Sequence, residues 1–206
     1  MGDAFHFGAV VLAAGASVRM GRPKQLLPIA GKSLVVRSAE AALESGARPV
    51  VVVLGAGADS IRPALDGLPV LVAINRHWQR GLSSSVRAGI RMLDAGPGSL
   101  AAAVLILCDQ PNLSPQLIRR LVRRHRERGH SIVAAAYDGH PGAPALFARR
   151  HFPELLGLRG PNGARPLFAR HADVLDTVDL PELGVDLDNP SDYRRFITCP
   201  STSRRG

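Results

Sequence analysis

The sequence has 206 residues, a length that suits one compact domain with a substantial buried core. Its residues are 46% apolar but only 4% aromatic, so the core is built mostly from Ala, Val, Leu and Ile, as in parallel sheets covered by helices. The net charge of +9, from 26 Lys and Arg against 17 Asp and Glu, favours an anionic partner, and two cysteines, Cys108 and Cys199, imply neither a disulfide framework nor a zinc site.

The first residues, "MGDAFHFG", include an acid and lack the basic start, apolar stretch and cleavage site of a secretory leader. No later apolar run reaches membrane-spanning length, so the expectation is a soluble, cytoplasmic protein with no membrane partner. Val10 to Ala14 reads as a first buried strand, followed by a helix over Leu34 to Glu44 after Ser33. A strand at Val50 to Leu54 and a short helix near Asp59 to Leu65 come next, then a strand at Val70 to Ile74 and a helix over Ser84 to Leu93. A strand at Ala102 to Leu107 precedes a helix over Pro115 to Arg128, with Ser114 as N-cap, Pro115 at the first helical position and Gly129 as stop. That helix carries Arg119, Arg120, Arg123, Arg124, Arg126 and Arg128; with no stacking aromatics interleaved, they read as a solvated face rather than a nucleic-acid surface.

Ile132 to Ala136 completes the buried strands, and "YDGHPGAPALF" reads as a hairpin or a loop over the sheet. The remainder reads as two short helical segments, an edge strand and a final helix starting near Pro190. The alternation of strand and helix predicts an α/β fold, a doubly wound, mostly parallel sheet with a small antiparallel element. Residues 1–197 form the expected domain and 198–206 an expected disordered tail.

Ligands of such sheets bind beyond the carboxyl ends of the strands, which makes the strand exits Ala13 to Gly21, Asn75 to Ser85 and Cys108 to Asn112 the informative positions. In "VVLAAGASVRMGRPKQLLP" the first exit offers Gly15, where backbone approaches an anion without a side chain in the way, and then Arg19, Arg22 and Lys24. Two familiar phosphate loops are excluded: "GKS" at Gly31 to Ser33 has Leu26 where a Walker A loop needs glycine, and "GAGADS" at Gly55 to Ser60 ends in Ser60 rather than glycine. The layout that remains suits a nucleoside triphosphate running along the loop.

"LAAGASVRMGRPK" resembles the signature L-A-[AG]-G-x-S-x-R-M-G-x-x-K of nucleotidyltransferases that activate small molecules with a nucleoside triphosphate. Leu12, Ala13, Gly15, Ser17, Arg19, Met20, Gly21 and Lys24 fall in register. The continuation Gln25-Leu26-Leu27-Pro28 is similar to the molybdenum cofactor cytidylyltransferase branch, whose relatives include the molybdopterin-guanine dinucleotide synthases. The resemblance implies a Rossmann-like nucleotidyltransferase fold, with Leu12, Ala13, Ala14, Gly15, Arg19 and Lys24 on the nucleotide and Arg19, Lys24 and Asp109 as catalytic groups. It implies Mg²⁺ on Asp109 of "LILCDQP" and on Asp188 of "GVDLDNPSDY", the latter preferred to Asp186; Asn189 and Ser191 depart from the usual Thr and Glu there. Asp188 or Asn189 also reads as the N-cap of the last helix.

"NRHWQRGLSSSVRAGI" is similar to a family segment through Asn75, Trp78, Gly81, Ser85 and Gly89, which adds Asn75, Gly81 and Ser83 to the expected nucleotide site. "GHPGAPALF" and "LRGPNGAR" resemble acceptor elements and imply Gly142, Pro144 and Arg165 as acceptor-binding residues, with Pro161 where the family has Asp. His140 and His151 read as surface residues rather than ligands. The implied reaction is transfer of CMP from CTP to the phosphate of molybdopterin with release of pyrophosphate, the product passing to a recipient molybdoenzyme. The alternatives are a guanylyltransferase using GTP, against which Ala14 stands where that branch has a second glycine, a non-catalytic molybdopterin or nucleotide carrier, and a redox enzyme using a nicotinamide cofactor.

Overall fold

The computed structural model describes residues 5–96 and 100–198. In chain order the elements are β1 (Phe7–Ala13), β2 (Pro28–Ile29), β3 (Lys32–Ser33), α1 (Leu34–Glu44), β4 (Val50–Leu54), α2 (Ala58–Ile61), β5 (Leu71–Ile74), α3 (Leu82–Asp94), β6 (Ala102–Leu107), α4 (Pro115–Arg128), β7 (Ile132–Tyr137), β8 (His140–Ala148), α5 (Phe152–Gly157), α6 (Arg165–Arg170), β9 (Leu175–Asp179) and α7 (Pro190–Thr198). Thr198 closes α7, and residues 199–206, to which the expected tail belongs, lie outside the described residues. No helix among the described residues is long and apolar enough to cross a membrane.

Seven strands form one sheet in the order β5-β4-β1-β6-β8-β7-β9. β1 runs parallel to β4 and β6, β4 to β5, and β7 to β9, whereas β8 is antiparallel to both of its neighbours. β2 and β3 pair separately as a small antiparallel ribbon. The doubly wound, mostly parallel sheet is thus present, and "YDGHPGAPALF" is a hairpin whose second strand enters the sheet between β6 and β7 rather than lying over it.

Alternation along the central strands sorts side chains into two cores. Ala9, Val11 and Ala13 of β1 join Val52 and Leu54 of β4 and Val104 and Ile106 of β6 beneath α1, α2 and α4. Val10 and Leu12 join Val51, Val53, Ala103 and Leu105 beneath α3, α5 and α6. Because both faces are covered, these strands are continuously apolar, which is why they are readable as short buried runs. β5 departs from its expected burial: it is an edge strand, with Leu71 and Ile74 exposed. An apolar run alone does not distinguish an edge position from a central one.

α4 starts and stops where the Ser114-Pro115 and Gly129 signals place it, although the Ser114 side chain makes no capping hydrogen bond. Gly129 has φ of 74° and closes the helix through its N–H to the His125 carbonyl. His140 is exposed, but His151 is buried, a correction to its surface reading. It sits where α5 and α6 meet, 2.8 Å from Ser131 Oγ and 3.3 Å from Glu154 Oε1.

Helix α3 lies so close to the sheet that a Cβ at Gly89 would overlap Val10 and crowd Val53. Glycine to alanine in a free helix gains about 1 kcal/mol, whereas overpacking a core costs about 1–3 kcal/mol. Gly89→Ala is therefore expected to lower the midpoint of thermal unfolding, measured by circular dichroism, in place of the rise a free helix position would give.

Candidate active site

The parallel pairing of β1 with β6, with Leu12 opposite Leu107, sets the two strand exits side by side. The chain leaving β1 meets the chain leaving β6 at a cavity of about 440 Å³ lined by Ala13, Ala14, Gly15, Lys24, Trp78 and Asp109 among others. A second cavity of about 330 Å³ adjoins it, sharing Leu12, Leu82 and Leu107, and is walled by Tyr137, Gly142, Phe147, Pro161, Arg165 and Phe168.

The loop after β1 turns at Ser17, whose φ of 53° lies in the left-handed region, and not at Gly15, where a Cβ would meet open space. A serine in that region is strained and needs anchoring. Its hydroxyl accepts the Lys24 N–H at 3.0 Å and donates to Gln25 Oε1 at 3.2 Å. Gln25 in turn donates to the carbonyls of Ala13 (2.9 Å) and Gly15 (2.7 Å), and is almost fully buried. The loop shape is thus set by Gln25 and Ser17, which the sequence marks only as matching motif positions and not as the anchors of the loop.

This scaffold aims Lys24 at two carboxylates. Its Nζ lies 2.5 Å from Asp109 Oδ2 and 3.1 Å from Asp188 Oδ1. The Lys24 and Asp109 side chains are only 18% and 19% exposed, so the pair is weakly screened. Burial opposes the ammonium, but Asp109 and then Asp188 outweigh it and hold the Lys24 pKa above its ordinary value. Arg19 reaches Asp188 Oδ2 at 2.8 Å but is 74% exposed, so that contact is of the kind contributing about 0–1 kcal/mol. Arg22, expected among the cations of this loop, stacks over the Tyr193 ring instead.

Asp188 arrives from the far end of the chain. The Leu187 N–H donates to the Asp109 carbonyl at 3.2 Å, laying residues 186–188 beside the β6 exit. Asn189, not Asp188, caps α7: its Oδ1 accepts the N–H groups of Ser191 and Asp192, while Asp192 Oδ2 accepts those of Asp188 and Asn189. The Asp188 side chain is thereby left for Lys24 and Arg19. Asp186 faces the second cavity, where burial, followed by the charges of Asp109 and Asp188, raises its pKa to about 6. Gln110, next to Asp109, is buried and donates to the carbonyls of Ala143 (2.9 Å) and Leu183 (3.3 Å), tying β8 to the segment before Asp186.

Of the expected nucleotide residues, Leu12, Ala13, Ala14, Gly15, Lys24 and Gly81 line the first cavity. Gly81, at φ of 92°, cannot bear a side chain, because a Cβ would lie 2.6 Å from Pro161 Cα. Asn75 and Ser83 stand behind the cavity wall. Asn75 donates to the hydroxyls of Ser84 (2.8 Å) and Ser85 (3.0 Å), and the fully buried Ser83 donates to the Arg159 carbonyl at 3.1 Å. Their side chains hold the α3 N-terminus and the 159–163 loop in place. Gly142 and Arg165 line the second cavity, and Pro144 is buried beside it.

Replacing Gln25 by Leu removes both donors and leaves two carbonyls unpaired, a loss of about 1–3 kcal/mol; chemical denaturation of Gln25→Leu is expected to show it. Cys108 is buried against the same floor, and burial raises its thiol pKa to about 12. At pH 8 the thiol stays protonated, so peptide mapping after iodoacetamide is expected to find Cys108 alkylated in denatured protein but not in native protein.

The arrangement can hold the phosphates of a nucleotide over the β1 loop, with an acceptor in the adjoining cavity. A family model described as the MobA-like NTP transferase domain matches residues 9–174. The chain is 34% identical over 201 residues to a nicotine blue oxidoreductase from Paenarthrobacter nicotinovorans, covering 91% of this chain and 95% of that protein. The crystal structure of Rv0371c from Mycobacterium tuberculosis superposes with a TM-score of 0.80 at 29% identity, covering 95% of this chain and 99% of that one. A manganese complex of the same protein gives a TM-score of 0.72 at 29% identity, over 94% and 98% of the two chains. The sheet, the strand-exit loop and the matched span agree: the chain belongs to the MobA-like NTP transferase family of nucleotidyltransferases.

Proposed function

We propose that this protein transfers the CMP group of CTP to the phosphate of molybdopterin or a closely related acceptor and releases pyrophosphate. The observation carrying the reading is the convergence of Lys24, Asp109 and Asp188 from three distant segments onto the edge of one cavity. An acceptor phosphate oxygen bonds to the α-phosphorus as the bond to the β-phosphate oxygen breaks, and pyrophosphate leaves. Lys24 and Arg19 compensate charge on the phosphoryl oxygens in that passage, and the Gly15 loop positions the triphosphate.

The residues present fit a divalent cation. Asp109 Oδ1 is buried with no hydrogen-bond partner, a costly arrangement for a carboxylate that a cation relieves. Asp109 and Asp188 would hold Mg²⁺, whose chemistry when bound is to neutralise phosphate charge and orient the triphosphate. The manganese complex of the Mycobacterium tuberculosis relative supports a divalent metal in this family. On CTP binding, Lys24 exchanges its carboxylate partners for phosphate oxygens.

The Ala14 methyl, on the floor of the first cavity and packed against Gly55, leaves less room there than a glycine and supports a pyrimidine over a purine. The second cavity supports a flat, partly apolar acceptor with an anionic group, through Phe147, Phe168 and Arg165. Pro161 places an apolar ring on its wall where the family has a carboxylate. The molecular partners are thus CTP and a molybdopterin-type acceptor, with a recipient molybdoenzyme downstream.

The 34% identity to a nicotine blue oxidoreductase favours a second reading, reduction of a small substrate by a nicotinamide cofactor on the same scaffold. Absorbance of NADPH in the presence of candidate heteroaromatic acceptors tests it.

Purified protein with Mg²⁺, CTP and molybdopterin is expected to release pyrophosphate, with calorimetry showing tighter binding of CTP than of GTP. Removing the cation with a chelator is expected to stop turnover, and Lys24→Ala or Asp109→Ala to lower kcat by about 100-fold or more, the scale for loss of one preorganised charge-stabilising group. Absence of pyrophosphate with every triphosphate, or unchanged turnover in both variants, overturns the reading.

A further inference from the structure

Away from the strand exits, the start of α5 and the end of α6 gather a second set of chemically distinctive side chains. His151 precedes α5, Glu154 lies on its first turn, and His171 follows α6. One ligand atom from each lies within 4.8 Å of the others. His171 Nε2 is 2.8 Å from Glu154 Oε1, and His151 Nδ1 is 3.3 Å from the same oxygen. We propose that His151, Glu154 and His171 form a site for a borderline transition-metal ion, Zn²⁺ or a similar cation, separate from the Asp109 and Asp188 pair and independent of the reaction proposed above.

Three features favour a built site over a chance meeting of polar groups. Both imidazoles and the carboxylate converge through single atoms, and tetrahedral zinc with bonds of about 2.0–2.2 Å places its ligand atoms only about 3.4 Å apart. The two spacings to Glu154 Oε1 are 2.8 and 3.3 Å and the two imidazole nitrogens lie within 4.8 Å of each other, so side-chain movement of an ångström or so, about the scale of a rotamer adjustment, closes the set. Two of the three ligands also have an outer partner: His151 Nε2 lies 2.8 Å from Ser131 Oγ inside the core, and Arg170 binds Glu154 Oε2 at 3.1 Å. Such partners fix ring orientation and leave the inner atoms for the ion. Arg170 is mostly exposed, so its charge is partly screened and does not bar a cation from Oε1. Finally, three protein ligands leave a fourth position for water.

The donor sets of the two sites select different ions. Two imidazoles and one carboxylate suit Zn²⁺, Co²⁺, Ni²⁺ or Cu²⁺, whereas two carboxylates suit Mg²⁺ or Mn²⁺. An ion at the histidine site staples α5 to the end of α6. Since α6 begins at Arg165 and carries Phe168 into the second cavity, it rigidifies the acceptor side of the molecule without touching the phosphate side.

The test is titration of chelator-treated, full-length protein with Co²⁺ followed by visible absorption, and with Zn²⁺ followed by thermal unfolding. One Co²⁺ per chain with intense d–d bands is expected, displaced by Zn²⁺, and Zn²⁺ is expected to raise the unfolding midpoint. His171→Ala, at a partly exposed position that tolerates truncation, is expected to weaken Co²⁺ binding by at least about 100-fold and Ser131→Ala by about 10-fold. Asp109→Asn is expected to retain the Co²⁺ spectrum. Absence of the d–d bands in the parent protein, their persistence in His171→Ala, or their loss in Asp109→Asn overturns the proposal and leaves a hydrogen-bonded clamp.

Discussion

The ammonium of Lys24 lies between two carboxylates that are 79 residues apart in sequence, Asp109 and Asp188. Bringing like charges together in a partly buried cleft is unfavourable unless a cation intervenes, and much of the local architecture serves that end. Gln25 and Ser17 fix the loop from which Lys24 projects. The parallel pairing of β1 and β6 sets the two strand exits adjacent, and one backbone hydrogen bond from Leu187 brings the last acidic segment alongside. The three groups form one ion-pair network, so each charge is held in place by the others.

The helix caps work with this constraint. Asn189 and Asp192 satisfy the N-terminal amides of α7 between them, so Asp188 is not consumed as a cap. Ser83, Asn75 and Gly81 lock the start of α3 against the 159–163 loop. The partition between the two cavities therefore rests on buried polar contacts and close backbone packing. Asp186, with its pKa raised to about 6, is the carboxylate of the group that faces the second cavity.

The central strands and the longer helices were legible because their signals are local. Val50 to Leu54 and Ala102 to Leu107 are apolar on both faces, and Pro115 to Arg128 is bracketed by a proline start and a glycine stop. The glycine loop with Arg19 and Lys24 was legible by its density of matching positions. What was not legible depends on contacts between distant residues. Nothing in the sequence distinguishes the edge strand β5 from a central one, places β8 within the sheet, or marks Gln25 and Gln110 as the donors that hold the site's walls. Ser83 was assigned to the ligand by its neighbourhood, yet its side chain bonds to a carbonyl 76 residues away. His151 looked superficial because its partners, Ser131 and His171, are 20 residues away on either side.

The antiparallel strand β8 divides the sheet into unequal halves. β5, β4, β1 and β6 form a parallel block whose register fixes the end that frames the first cavity, while β8 carries Gly142, Ala143 and Ala145, and β7 carries Tyr137, to the other cavity. A hairpin joins β7 to β8 directly, so its turn at Asp138 and Gly139 can change in length or sequence without a crossover helix having to follow. Change is therefore cheap on one side of the molecule: the wall of the second cavity can be re-cut through a hairpin while the parallel block that frames the first keeps its register.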